Sequence, residues 1–270
     1  MSTRGDGPQG AAPVRFARLA EQVADDLRTR ILIGDLADGS ALPIEEVLRA
    51  QYPVSKPTLR EAMRVLEAEG LVTVRRGAIG GAVVHRPTSE HVAYSLGLVL
   101  AGRRVAISDV AGALREVEPS CAAACARRPD RNEAVVPTLR MLHERSLKVV
   151  DDLVEVTTLS RMFHEAIVEL CGNHSLAILA GALESVWSSH ESDWAAQNGE
   201  GANIPRKERL QALEEHRRLI DQIAEGDEEG ARRTASCHLE ISQTYPGNDE
   251  DQGAVSPTPV RARFIERTAL

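Results

Sequence analysis

Three histidines carry spacing that suggests chemistry. His164 shares a helical row with Ser160, Ile167 and Cys171. His216 falls in the series Leu213, His216, Ile220, Ile223, and His238 in the series Ala231, Ala235, His238, Ile241. Each imidazole therefore points with the apolar face of its own helix. Burying three imidazoles together is costly unless they gain partners, and histidine is the commonest ligand for divalent transition metals. Two readings stand. One is a three-His site for a divalent ion, zinc or nickel, whose fourth position is open to water or to a ligand carboxylate. The other is a polar pocket whose histidines hydrogen-bond an organic ligand. A metal so held could also hydrolyse a small molecule if a carboxylate served as base. Glu165 and Glu215 neighbour the histidines in sequence, but the spacing turns them off the histidine face.

A second set of residues is basic. Lys56, Arg60 and Arg64 recur at i, i+4 and i+8, with Thr58 beside them, on a helix whose N-cap is Ser55 and whose first turn holds Pro57. A helix of this kind fits the major groove, where arginine reads guanine bidentately and Lys or Thr serves bases or phosphates. Arg75 and Arg76, beside Gly77 in the turn Arg75–Gly81, suit phosphate or minor-groove contacts. The plainer alternative is a solvated amphipathic helix next to a surface loop. Cys121 and Cys125, at i and i+4 in an Ala-rich stretch, have no second pair at ligand spacing and are expected as small core residues.

The elements that must hold these groups follow from the pattern of the chain. Phe16, Leu19, Ala20, Val23, Leu27 and Ile31 mark a first helix stopped by Gly34. A short helix starts near Pro43 and ends before Pro53. The basic helix runs from Ser55 to Gly70, with Leu59, Ala62, Met63 and Leu66 inward. Leu71–Val74 and Ala82–Val84 read as the two strands of a hairpin. Helix, helix, helix, hairpin is the order of a winged helix-turn-helix, expected over 14–86. Arg86–Thr88 reads as a linker. Helices are expected over about 88–101, 107–128, 131–147, 150–171, 175–197, 205–225 and 228–244, a bundle of six to seven helices spanning 88–245. The expected fold is thus mainly α, with disordered tails at 1–13 and 246–270.

Charge supports this division. The chain carries a net −8, yet residues 14–86 carry a net +1 and residues 87–270 a net −9. The acidic excess therefore does not argue against nucleic acid as partner of the first third. The longest apolar stretches, such as Val92–Ala101, fall short of a membrane span. The N-terminus lacks an apolar signal region, and four cysteines give no disulfide framework, so a cytoplasmic protein is expected. The glycines at 77–81 have neither the spacing nor the following helix of a dinucleotide loop. An enzyme is not expected, and a metal-dependent hydrolase or metal-binding protein is the alternative.

The first third resembles the GntR family of bacterial transcription regulators. The likeness lies in Ile31–Gly34, Leu42-Pro43, Val54–Ala62, Leu66–Leu71 and Arg76-Gly77 with Gly80–Val83. It implies that Lys56, Thr58 and Arg60 contact operator DNA, with Gly77 at the wing tip. The remainder is similar to that family's fatty-acid-regulator branch, with an FCD-type helical ligand domain, through Phe163–Ile167, Gly172-Asn173, Glu215–Asp227, Ala231 and His238-Leu239. The resemblance implies an effector domain, a metal site at the three histidines, and a repressor that leaves DNA on binding effector. It also sets Arg115 at a position that faces the effector and Asn173 near it. Arg115 is otherwise a surface residue or a partner of Glu118, and Asn173 a cap or turn residue. Two departures stand out. Glu46 occupies a position where the family carries a DNA-contacting Arg, and Ser160 stands where many members have an Asp ligand. Since one recognition helix reads only a few base pairs, a homodimer on a palindromic operator is expected.

Overall fold

The computed structural model describes residues 11–75, 81–198, 204–243 and 254–256. The chain divides after Thr88 into two compact units.

The first unit begins with α1 (Ala11–Ile33), α2 (Glu45–Gln51) and α3 (Lys56–Ala68), followed by β1 (Val72–Arg75) and β2 (Gly81–Val84). Helix α1 starts at Ala11, so the tail expected over 1–13 is cut short within its last residues. Ala20, Val23, Ala24, Leu27 and Ile31 bury one face of α1 against Leu59, Ala62 and Leu66 of α3. Gly34 ends α1 with φ +86°, a conformation that costs glycine little. β1 and β2 pair antiparallel, Val72 opposite Val84 and Arg75 opposite Gly81. The segment before α2 adds to the sheet edge, with Leu42 N–H donating to the Ala82 carbonyl at 2.7 Å and Val84 N–H to Ser40 at 2.9 Å. Three helices and a hairpin closed over one apolar core make a winged helix-turn-helix.

The second unit holds α4 (Ser89–Gly102), α5 (Ile107–Arg127), α6 (Arg131–Ala134), α7 (Val136–Lys148), α8 (Leu153–Glu169), α9 (His174–Asn198), α10 (Arg206–Glu225) and α11 (Glu228–Ser242). These eight helices, among the described residues, correct the expected six to seven. The single helix read over 131–147 is two, because the chain leaves helical register at Val135 (φ −114°) and restarts with Pro137 in the first turn of α7. The core is built from Cys121, Ala122, Cys125, Leu139, Phe163, Ile167, Leu219 and Ile223. Cysteines 121 and 125 are buried there, and burial pushes the Cys125 thiol up to about 12, which keeps it protonated and unreactive. α10 and α11 form a hairpin turned at Gly226 (φ +78°).

The second correction concerns the C-terminal tail. Ala254 bridges Ala106, Val255 N–H donates to the Val105 carbonyl at 2.9 Å, and Ser256 N–H donates to His190 Nε2 at 3.0 Å. Val255 is buried against Ala93, Ile107 and Val110. The rest of 246–270 lies outside the described residues.

Candidate functional site

Two sites emerge, one in each unit. On α3, Ser55 accepts the Thr58 N–H at 3.3 Å, and the two hydroxyls lie 2.7 Å apart. This cap starts the helix at Lys56 and fixes which residues face out. Lys56, Arg60 and Arg64 expose their side chains in one row. Thr58, by contrast, is 3% exposed. Its expected contact with DNA is therefore corrected, because its hydroxyl closes the helix end against Ser55. Ser55 likewise acts first as a cap. Lys56 Nζ lies 3.0 Å from Glu45 Oε1 and Arg60 Nε 3.8 Å from Glu45 Oε2, so one carboxylate of α2 faces both cations. The sequence reading missed this partner. Arg64 pairs with Glu61 at 3.2 Å. Arg75 occupies the last position of β1, while Arg76 and Gly77 lie outside the described residues.

In the second unit the three histidines come together. His164 stands on α8, His216 on α10 and His238 on α11, and one ligand nitrogen from each lies within 4.8 Å of the others. His164 Nε2 lies 3.1 Å from His238 Nε2, and His216 Nε2 lies 3.2 Å from the same atom. His216 stacks on Phe163, centroids 4.0 Å apart and planes 10° from parallel. Burial, then the neighbouring histidines, holds His216 well below the usual imidazole range, so it is neutral. Burial also lowers His238, opposed by its hydrogen bond to Glu215.

Two carboxylates sit behind this cluster. Glu118 Oε1 lies 2.5 Å from His164 Nδ1, and Glu215 Oε2 lies 2.8 Å from His238 Nδ1. A carboxylate accepts, so each ring donates from Nδ1 and, while neutral, turns Nε2 toward the cluster as an acceptor. The hydrogen bond to His238 in turn holds Glu215 below its ordinary carboxylate range. Glu215 thus turns off the face of His216 as the spacing implies, but it reaches across the α10–α11 hairpin to His238, which corrects its reading as a bystander. Glu165 pairs with Arg161 at 3.7 Å instead. Glu118 is 1% exposed and binds a histidine, not Arg115. It shares a buried row with Leu114, Ala122 and Cys125, a signal that the sequence did carry.

A cavity of about 240 Å³ opens beside the cluster, lined by His164, His238, Glu118, Glu215 and Ser160, and further along by Val156, Leu213, Arg209 and Gln243. Ser160 is on its wall one turn before His164. The arginines on the wall are Arg161 and Arg209. Arg115 is not among the lining residues; its guanidinium lies 3.9 Å from the Cβ position of Gly112. Asn173 is the cap that its place at a helix end suggested in preference to an effector contact: its side chain accepts the Leu176 N–H at 3.1 Å and starts α9.

A winged helix-turn-helix followed by a helical domain with a histidine-lined cavity is the build of a ligand-responsive DNA-binding protein. The pattern described as "Bacterial regulatory proteins, gntR family" matches residues 19–83, and the FCD domain matches 109–241. A protein of Escherichia coli named for regulation of the L-lactate dehydrogenase operon is 30% identical over 87% of this chain and 89% of its own length. The HTH-type transcriptional regulator Mce2R of Mycobacterium tuberculosis is 27% identical over 86% of this chain and 93% of its own. The repressor NanR of Salmonella newport is 24% identical over 86% and 87%. A solved structure of a Streptococcus agalactiae GntR protein shares the fold, with a TM-score of 0.62 at 23% identity over 83% of this chain and 98% of that one. The chain belongs to the GntR family, as a transcription regulator that joins a DNA-binding domain to an FCD effector domain and is not an enzyme. Among the described residues no helix is long and apolar enough to cross a membrane.

Proposed function

We propose that this regulator is a homodimeric, cytoplasmic repressor whose grip on a palindromic operator is released by a small carboxylate effector bound beside a divalent ion, zinc or nickel. Lys56, Arg60 and Arg64 on α3 read the operator, with Arg75, Arg76 and Gly77 on the wing. His164, His216 and His238 hold the ion. The names of relatives favour repression and a small acid: NanR is a repressor, and another relative is named for an L-lactate operon.

One observation carries the ion. Glu118 and Glu215 take the Nδ1 protons of His164 and His238, and the Nε2 atoms of the two rings converge at 3.1 Å beside that of His216, the three ligand nitrogens lying within 4.8 Å of one another. Two neutral acceptors at that distance repel unless a shared proton or a metal ion lies between them. Two nitrogens bound to one tetrahedral zinc would stand about 3.3 Å apart, close to the spacing found. When bound, the ion supplies a Lewis-acid position for a carboxylate oxygen of the effector. Ser160 offers only a neutral hydroxyl where a carboxylate would add charge, so the site binds its ion more loosely than a three-His-one-Asp set would. The test is metal content and melting temperature, with and without chelator, for the wild type and Ser160→Asp. The variant should retain more metal and lose more stability to chelator. Two proteins without metal or chelator response would overturn the ion and leave the histidines as hydrogen-bonding groups.

A further inference from the structure

We propose that Arg209 and Gln243 form a second polar subsite at the end of the cavity away from the histidines, and that the effector is a chain-like carboxylic acid bearing a hydroxyl at its distal end. The inference rests on the reading that the histidine end of the cavity holds an acid. Arg209 precedes His216 by seven residues on α10, on the same face and ~10 Å along the axis. Gln243 follows His238 by five residues at the end of α11, ~7–8 Å along it. Because α10 and α11 are a hairpin turned at Gly226 and joined at His216 and His238, these offsets carry both residues to the same end. The N-terminal side of α8 lies there too: Arg209 Nη1 donates to the Val150 carbonyl, and Arg206 Nε lies 2.7 Å from Asp151 Oδ1.

Both residues line the cavity, and each leaves a buried polar atom without a hydrogen bond among the described residues: Arg209 Nε, a donor, and Gln243 Oε1, an acceptor. Gln243 is 8% exposed. Unmatched buried polar atoms are costly, and two of opposite kind at one end of a cavity ask for a group that both gives and takes a hydrogen bond. A hydroxyl does this. A second carboxylate would meet the like charge of Glu208 on the same wall and leave Gln243 Oε1 without a donor. An ammonium would face the Arg209 guanidinium. Val156, Leu213 and Leu239 add apolar wall to the cavity, which suits a methylene spacer. A span of ~10 Å fits acids of about four to eight carbons.

The experiment is calorimetric titration and thermal shift of the full chain, zinc-loaded and chelator-treated, with hexanoate, 6-hydroxyhexanoate, adipate and 6-aminohexanoate, repeated for the shorter and longer homologues. The hydroxy acid of best length should bind about fivefold to tenfold more tightly than its plain acid, the worth of one or two net hydrogen bonds. Gln243→Leu should erase that gain and leave plain-acid binding in place. Gln243→Glu, a second variant of nearly the same shape, should shift preference to the amino acid. If plain acids bind and the hydroxyl adds nothing at any length, or the gain survives Gln243→Leu, the subsite is refuted while the acid-binding reading stands. If no acid of the series binds, both fall.

Discussion

At the scale of single residues, Glu45 governs more than its sequence position suggests. Its carboxylate faces Lys56 and Arg60, the two cations that begin the reading face. These pairs are exposed and contribute little to stability, but DNA phosphates must compete with them. Glu45→Gln should leave the melting temperature within a degree or two and tighten operator binding by about threefold to tenfold at low salt, a gap that closes as salt rises. Anisotropy titrations against a selected operator would measure it; unchanged or weaker binding would mean that Glu45 orders the face. Behind the histidines, Glu118→Gln should lower zinc affinity by about tenfold to a hundredfold, read by competition with a chromophoric chelator, since the outer partner sets the tautomer and basicity of His164. The three histidines were legible because each sits in an apolar row. Their carboxylates were not, because partnership across helices leaves no local period: Glu215 looks like solvent-facing charge until α11 is laid against α10. Arg209 escaped for the same reason, although it is seven residues from His216 on one face. Thr58 shows the reverse error, a polar residue near a site that holds a helix end.

At the scale of elements, the long helices followed their apolar rows and glycine stops, and the hairpin followed its β-branched runs. The break at Val135 did not, because α6 is one turn long and Arg131, Glu133 and Ala134 are good helix formers; Pro137 was the signal. The segment Ala254–Ser256 was hidden by its polar, proline-containing surroundings, in which one valine is the whole apolar message. That valine is 3% exposed. Val255→Ala should cost about 1–3 kcal/mol through lost burial and the cavity left behind, lowering the melting temperature of the second unit by a few degrees. Calorimetry on the full chain, compared with the fragment ending at Thr88, would assign the loss, and an unchanged transition of the second unit would show that the segment is not held in solution.

For the whole molecule, the two units have separate cores, so a fragment ending at Thr88 should fold alone and give a helical circular dichroism spectrum. It should bind operator at least about a hundredfold more weakly than the full chain, because linkage of two half-sites is lost with the second unit. Equal affinity would refute the proposed dimer. The contact of Val255 with Val105 bears on how the protein is made. Those residues are about 150 positions apart, and closing so long a loop comes after local structure. During synthesis the DNA-reading unit emerges first and has every residue it needs to fold. The cluster of Ala93, Ile107 and Val110 lacks its Val255 contact until that segment has left the ribosome. A nascent chain of this regulator therefore passes through a stage in which the DNA-reading unit can be folded before the last contact of the ligand unit is made.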